Sequence, residues 1–363
     1  MSRGTQAIIH LQNLRHNFKV LSQLASDKLV LVVKADAYGH GLKNIVKSLH
    51  HVSYFGVATL DEALRIRKIR KNVKILLLEG YLDAKELELT LKNRIDCVIH
   101  QQQQIDLLNQ LNSTMRMNVW LKYDSGMNRL GFNDETYPWA IKQIKKHRNV
   151  AEIVLMSHFA SADKIDKKRY SDFTCKQKQY FLSYRNEEPF SFANSPALLN
   201  NLKEKGEWCR TGLALFGVSP IAGKTAKDFN LKPVMSLKTT VIATKNIKKG
   251  QGVGYGQSYQ AKNDMKIAII GIGYGDGYPW SLSENAYVLL RNQAAKIVGK
   301  VSMDMMAIDV SHLDGVEVGE LVLLWGQENS MILPVETVAN NANTIPYVLL
   351  CQITSRVHYE YLE

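Results

Sequence analysis

The chain has 363 residues, and its 46 Lys and Arg against 34 Asp and Glu leave a formal charge of +12. That length exceeds one ordinary domain of about 100–200 residues, so two domains, or one barrel with an appendage, are expected. With 45% apolar and 22% charged residues the composition excludes intrinsic disorder and fibrous classes.

No apolar stretch approaches the ~20 residues that cross a bilayer, and no signal peptide is readable in Met1 to Ile8. The basic runs Arg65 to Lys74 and Lys164 to Arg169 lack interleaved aromatics or a groove-reading motif, so no nucleic-acid partner is expected and a solvated basic surface is the plainer reading. Cys97, Cys175, Cys209 and Cys351 show no CxxC spacing. Neither a disulfide framework nor a zinc site is expected, and a reducing cytoplasm fits.

From Leu29 to about Val218 short apolar runs alternate with longer amphipathic stretches: LVLVVKA at 29, YFGVAT at 54, VKILLLE at 73, IDCVIH at 95, RMNVWLKYD at 116, EIVLMSHF at 152, FSFANS at 190 and CRTGLALFG at 209. Continuous apolar runs followed by helical patterns read as βα units with strands buried on both faces. Eight of them predict a (β/α)8 barrel of the TIM type. Between the second and third runs, Asp61 and Glu62 open a helical stretch whose apolar residues include Ala63, Ile66 and Ile69. At or just past the run ends stand Lys34, Lys122, His158, Asn194 with Ser195, and Gly212. In a barrel those ends converge on the face that carries active sites, so one polar cluster is expected from residues far apart in sequence.

After about residue 225 the texture becomes β-rich: VMSLKTTVIATKNI from 234, IAIIGIGY from 267, AYVLLR from 286, AAKIVGKVSMDMMAIDV from 294 and ELVLLW from 320, separated by Gly, Asn and Asp turns. These predict a mainly antiparallel β domain, with a helical pair at Pro334 to Asn343 and Pro346 to Ile353. The expected division is residues 1–229 for the barrel and 230–363 for the β domain.

The string VVKADAYGHG, Val32 to Gly41, sets Lys34 at the end of an apolar strand with Tyr38 just beyond. Desolvation there would lower a lysine pKa and free its amine for Schiff-base chemistry; read alone, Lys34 is more plainly an ordinary surface lysine. The whole string resembles the cofactor-lysine motif of the alanine racemase family, pyridoxal 5′-phosphate (PLP) enzymes with a barrel followed by a β domain. Eight further strings resemble the family in order: LKYDSGMNRLGF, MSHFA, ANSPA, CRTGLALFGVSP, LKPVMSLK, GVGYGQSY, IGIGYGDGYP and GKVSMDM. Together they span almost the whole chain. The resemblance implies an isomerase that interconverts L- and D-alanine and supplies D-alanine for peptidoglycan.

Residue by residue, the resemblance implies that Lys34 holds PLP and acts as one of two bases. Tyr38, Ser195 and the backbone N–H groups of Gly212 and Leu213 would bind the phosphate, a glycine there allowing the backbone close to an anion. By themselves Gly212 is also a turn residue and Ser195 a helix N-cap. Arg210 would face the pyridine nitrogen; it cannot surrender a proton to it. His158 and Asn194 would orient that arginine, though His158 alone also reads as a buried structural histidine. Tyr255 would be the second base, supplied by the other subunit of a homodimer; its ordinary pKa near 10 requires a site that favours the phenolate.

Arg129 would contact the PLP phenolic oxygen and the substrate carboxylate, a task for a planar donor fork. Met303 would offer its N–H to that carboxylate, though its side chain also reads as core. Tyr274 would line the entrance and Asp304 would support the pocket. Lys122 would be carbamylated and hold Arg129; the alternative is an unmodified lysine beside chloride or Asp124. No metal is expected. Ser355 stands where the family has a tyrosine, and Lys300 where it has an arginine. The competing readings are a racemase of broader specificity, a PLP-dependent decarboxylase and a non-catalytic PLP-binding barrel. Arg210 argues against the second, and the β domain with Tyr255 against the third.

Overall fold

The computed structural model describes residues 3–164 and 168–363. Residues 165–167 of the basic run and the first two residues of the N-terminal reading lie outside the described residues. The chain forms two compact units. One comprises Asn17–Leu215 and Ser219–Lys224, and the other the segment up to His16, Phe216–Val218 and Thr225–Glu363.

Strand β1 (Gln6–His10) belongs to the second unit. In the first, β2 (Leu29–Val32), β3 (Tyr54–Val57), β4 (Lys74–Leu77), β5 (Asp96–Ile99), β6 (Met117–Lys122), β7 (Val150–Met156), β8 (Phe190–Ser191) and β9 (Cys209–Thr211) form one parallel sheet in the order β9-β2-β3-β4-β5-β6-β7-β8. The Trp208 N–H donates to the Phe190 carbonyl and the Arg210 N–H to the Ala193 carbonyl, each at 2.9 Å, joining the sheet's two ends. Each predicted run overlaps one of these strands, β7 beginning two residues before its run.

The runs are apolar throughout because both faces of each strand are covered. Val30, Tyr54, Leu76, Val98, Trp120 and Val154, one from each of β2 to β7, pack into a single cluster, while their neighbours Leu31, Phe55, Ile75, Cys97 and Val119 are also buried. A fully buried side chain of this size contributes on the order of 1.5–3 kcal/mol. The helix Leu60–Ile69 starts at a capping box in which Thr59 accepts from the Glu62 N–H, and it buries Ala63 and Ile66.

The second unit holds β10 (Met235–Ile247), β11 (Gly252–Val253), β12 (Tyr259–Gln260), β13 (Met265–Ile270), β14 (Tyr287–Leu290), β15 (Gln293–Val298), β16 (Met306–Asp309), β17 (Leu321–Glu328), β18 (Met331–Leu333) and β19 (His358–Leu362). Nine strands form a sheet in the order β18-β17-β14-β15-β16-β13-β10-β1-β19. Only β1 and β19 pair in parallel; the other pairings are antiparallel. The helical pair is present as Val335–Asn341 and Pro346–Cys351.

Two features depart from the sequence reading. The run from 294, read as one stretch, breaks at Gly299 (φ +74°) into β15 and β16. The turn between them carries Met303. The N-terminal strand, placed by sequence with the barrel, lies between β10 and β19 instead. Its apolar Ala7, Ile8 and Ile9 are all buried there.

Candidate active site

Six residues of the expected cluster stand at the C-terminal ends of barrel strands. Lys34 follows β2, Lys122 ends β6, His158 lies two residues past β7, Asn194 and Ser195 follow β8, and Gly212 follows β9. Lys34 is exposed, in line with its plainer reading as a surface lysine. It opens a turn in which Ala35, Asp36, Ala37 and Tyr38 all have φ between +50° and +58°. A left-handed backbone costs an L-residue roughly 1–2 kcal/mol, so four in succession must be held by their surroundings.

This turn buries Tyr38 against Gly212. A Cβ added at Gly212 would lie 2.2 Å from the Tyr38 hydroxyl, so only a glycine admits the phenol this close to the strand end. The Gly212 N–H donates to Ser195 Oγ at 3.0 Å. Ser195 is not the helix cap: Asn194 caps Ser195–Leu199 by accepting from the Ala197 N–H at 3.1 Å. The Ser195 hydroxyl therefore turns toward Gly212. Two hydroxyls and a backbone N–H thus meet beside Leu213, an arrangement suited to phosphate oxygens.

Arg210, on β9, is buried and makes no ion pair among the described residues. Its guanidinium donates to Ser191 Oγ, to the Ser157 carbonyl at 2.7 Å and to His158 Nδ1 at 3.1 Å. An arginine only donates, so Nδ1 carries the lone pair and Nε2 the proton; Nε2 lies 3.4 Å from the Asn194 amide. Burial, then Arg210, Lys122, Arg129 and Lys34, push the His158 pKa well below its ordinary value, and the ring stays neutral. Burial also pushes Arg210 down to about 10, which leaves it charged at neutral pH.

Lys122 is buried in the same field. Burial first, and then Arg210 and Arg129, push its pKa down to about 8, against the pull of Asp124. Asp124 organises the loop beyond β6: its carboxylate accepts from the N–H groups of Gly126 at 2.9 Å, Asn128 at 3.0 Å and Arg129 at 3.1 Å. The site therefore combines an oxygen-anion cradle with a cluster of cations around one acid. That chemistry fits a phosphorylated aldehyde cofactor with further oxygen anions on its ring and substrate.

The remaining predicted residues lie in the β unit. Tyr255 begins the short turn Tyr255–Gln257 between β11 and β12 and is 73% exposed. Tyr274 and Met303 are exposed, so Met303 is not core. Their turns are joined: the Tyr274 N–H donates to the Ser302 carbonyl at 3.0 Å and the Gly275 N–H to the Met303 carbonyl at 2.9 Å. Asp276, absent from the sequence reading, is fully buried beneath them. Its carboxylate receives Arg3 Nη2 at 2.8 Å, Arg356 Nε at 3.2 Å and the Gly273 N–H at 3.0 Å, and Arg356 also reaches Asp304 at 2.6 Å. Ser355 precedes that arginine, and the Lys300 ammonium lies 5.9 Å from the Trp280 ring. Nothing in the local sequence marked Asp276, because its partners are at the two ends of the chain.

Comparison with known proteins matches residues 9–220 to the family described as alanine racemase, N-terminal domain, and residues 234–361 to alanine racemase, C-terminal domain. The chain is 39% identical over 363 residues to a Vibrio parahaemolyticus protein named alanine racemase, covering 99% of each. It is 41% identical over 356 residues to one from Shewanella oneidensis, covering 97% of each. Among solved structures, the biosynthetic alanine racemase of Pseudomonas aeruginosa superposes with a TM-score of 0.94 at 36% identity, over 99% of this chain and 100% of that one. The alanine racemase of Acinetobacter baumannii gives 0.91 at 37% identity, again over 99% and 100%.

Proposed function

Because this chain belongs to the alanine racemase family, we propose that it interconverts L- and D-alanine with PLP, using one proton-transferring group on each face of the substrate Cα. The observation that carries the reading is the gathering of Lys34, Tyr38, His158, Ser195, Arg210 and Gly212 at one end of the barrel. When bound, PLP supplies a conjugated ring that draws electrons from Cα and so acidifies its hydrogen.

The protein's own groups do the rest. Lys34 would hold the cofactor aldehyde through its amine, with Tyr38, Ser195, Gly212 and Leu213 on the phosphate. Arg210, fixed by His158 and backbone carbonyls, would face the ring nitrogen with donors only and keep it from gaining a proton. Asn194 would back His158. Arg129 and the Met303 N–H would orient the substrate carboxylate, and Tyr274 would narrow the entrance. Lys34 would move the proton on one face of Cα and Tyr255 on the other.

The exposure of Tyr255 supports its serving a second subunit. Tyr274, Trp280, Met303 and Met305 are also exposed in the single chain, a concentration of large apolar groups that suits a protein interface. A homodimer with sites shared between subunits is thus part of the proposal. So are a cytoplasmic location and a role in supplying D-alanine for peptidoglycan. All four cysteines are free, which suits a reducing compartment. No helix among the described residues is long and apolar enough to cross a membrane.

The test is incubation of the purified protein with L-alanine in deuterated water. D-alanine should accumulate to parity, with deuterium at Cα. Product that stays L and keeps its hydrogen would refute the assignment.

Lys122 carries a separate prediction. Carbon dioxide adds to neutral amines, and a pKa near 8 makes that form accessible near neutrality. The carbamate would place an anion among Arg129, Arg210 and Lys34. At constant dissolved carbon dioxide, carbamylation should rise with pH, steeply below about pH 8, where the ammonium form sheds one proton to react and the adduct sheds a second, and less steeply above it, where only the second is released. Carbon-13 NMR with labelled carbon dioxide measures this. A signal absent at pH 9, or retained in Lys122→Arg, would rule the carbamate out.

A further inference from the structure

We infer that Glu62 is a positioning residue for Lys34, its carboxylate fixing the left-handed turn that aims the lysine. The turn's backbone is pinned at several points. The Ala37 N–H donates to the Val33 carbonyl at 3.0 Å, the Gly41 N–H to the Asp36 carbonyl at 2.9 Å, and the Leu42 N–H to Asp36 Oδ1 at 3.1 Å. The first of these spans the lysine, and the other two lie past it. The peptide unit that joins Lys34 to Ala35 is held by Glu62, whose Oε1 accepts from the Ala35 N–H at 2.7 Å. Fixing that peptide plane fixes ψ of Lys34, and with it the direction in which the side chain leaves the backbone.

The other carboxylate oxygen is committed elsewhere. Oε2 accepts from the N–H groups of Ala58 at 2.9 Å and Thr59 at 3.2 Å, at the entrance to the helix Leu60–Ile69. One buried carboxylate thus ties the strand β3 exit and the neighbouring helix to the first residue of the strained turn. Both oxygens must accept, which an ionised carboxylate does and a carboxamide does not. A glutamate at this helix position is by itself an ordinary cap partner. The bond to Ala35 goes beyond that.

The inference rests on Lys34 being the cofactor lysine, and the test separates the two. In Glu62→Gln the amide oxygen retains one set of bonds, and the NH2 opposes an N–H on the other side. The variant should lose about tenfold or more in kcat, as misplacement of a reacting group does, with KM for alanine within about twofold. Hydroxylamine should strip the cofactor from the holoenzyme several-fold faster than from wild type.

Thr59→Ala is the control. It removes the cap in which Thr59 Oγ1 accepts from the Glu62 N–H at 3.4 Å and leaves the Glu62 carboxylate bonds in place. It should lower Tm while kcat and the hydroxylamine rate stay at wild-type values. Wild-type kcat and release rate in Glu62→Gln, or equal losses in Thr59→Ala, would show Glu62 to be a helix cap only. Borohydride reduction and peptide mapping read the premise independently: an adduct on another lysine would remove Lys34, and the inference with it.

Discussion

Lys34→Ala should lose at least about a thousandfold in racemisation, within the range by which a positioned acid–base group contributes, and should retain no borohydride-fixed cofactor. The lysine is exposed. Its removal should therefore leave Tm nearly unchanged, within the small effect usual for surface substitutions. In the wild type, borohydride should fix PLP on the peptide containing Lys34. An adduct mapped elsewhere, or a Lys34→Ala protein that still racemises at more than a per cent of wild type, would contradict the assignment.

Tyr255→Phe should cost on the order of 10²–10⁴ in kcat while PLP stays bound, because the proposed cofactor ligands all lie in the barrel unit. The substitution removes one hydroxyl from a side chain that is 73% exposed, so stability should hold. A single remaining base still works one face: one alanine enantiomer should keep exchanging its Cα hydrogen with solvent while inversion is lost. The two inactive variants also test the shared site. Equimolar mixing of Lys34→Ala and Tyr255→Phe chains, after subunit exchange, should restore roughly a quarter of wild-type activity, since half the dimers are mixed and each carries one complete site. No recovery despite verified exchange would place Tyr255 and Lys34 of one site in the same chain.

The barrel was legible because its physics is local. Strands covered on both faces are written as unbroken apolar runs, and the residue ending each run lies at the reactive end of the barrel. Lys122 and His158 could be placed in this way before any contact was known. Long-range pairings left no such mark. Ala7, Ile8 and Ile9 are too short a run to be told from a helix, and their partners lie beyond residue 230. Asp276 looks like a turn residue until Arg3 and Arg356 are brought to it.

Backbone handedness was equally silent. Ala35, Asp36, Ala37 and Tyr38 contain no glycine, and residues of these types carry no preference for positive φ strong enough to announce a left-handed turn. Glu62 was read as an acid at a helix start, which it is, and its bond to Ala35 appeared only with the fold. Ser195 was read one position off: the cap falls on Asn194, and the hydroxyl so released faces Gly212.

The place of β1 bears on how the molecule is made. β1 precedes the barrel in the sequence, and in the finished sheet it is flanked by β10 and β19, both of which follow the barrel. At ~5–20 residues per second, roughly 20–70 s separate the emergence of β1 from the synthesis of β19. Throughout that interval a nascent strand with an apolar core face lacks one neighbour, and for most of it both. Exposed strand edges invite pairing with other chains, so translation speed and chaperone occupancy bear on the yield of this protein. The sheet closes over β1 only once β19 has been made.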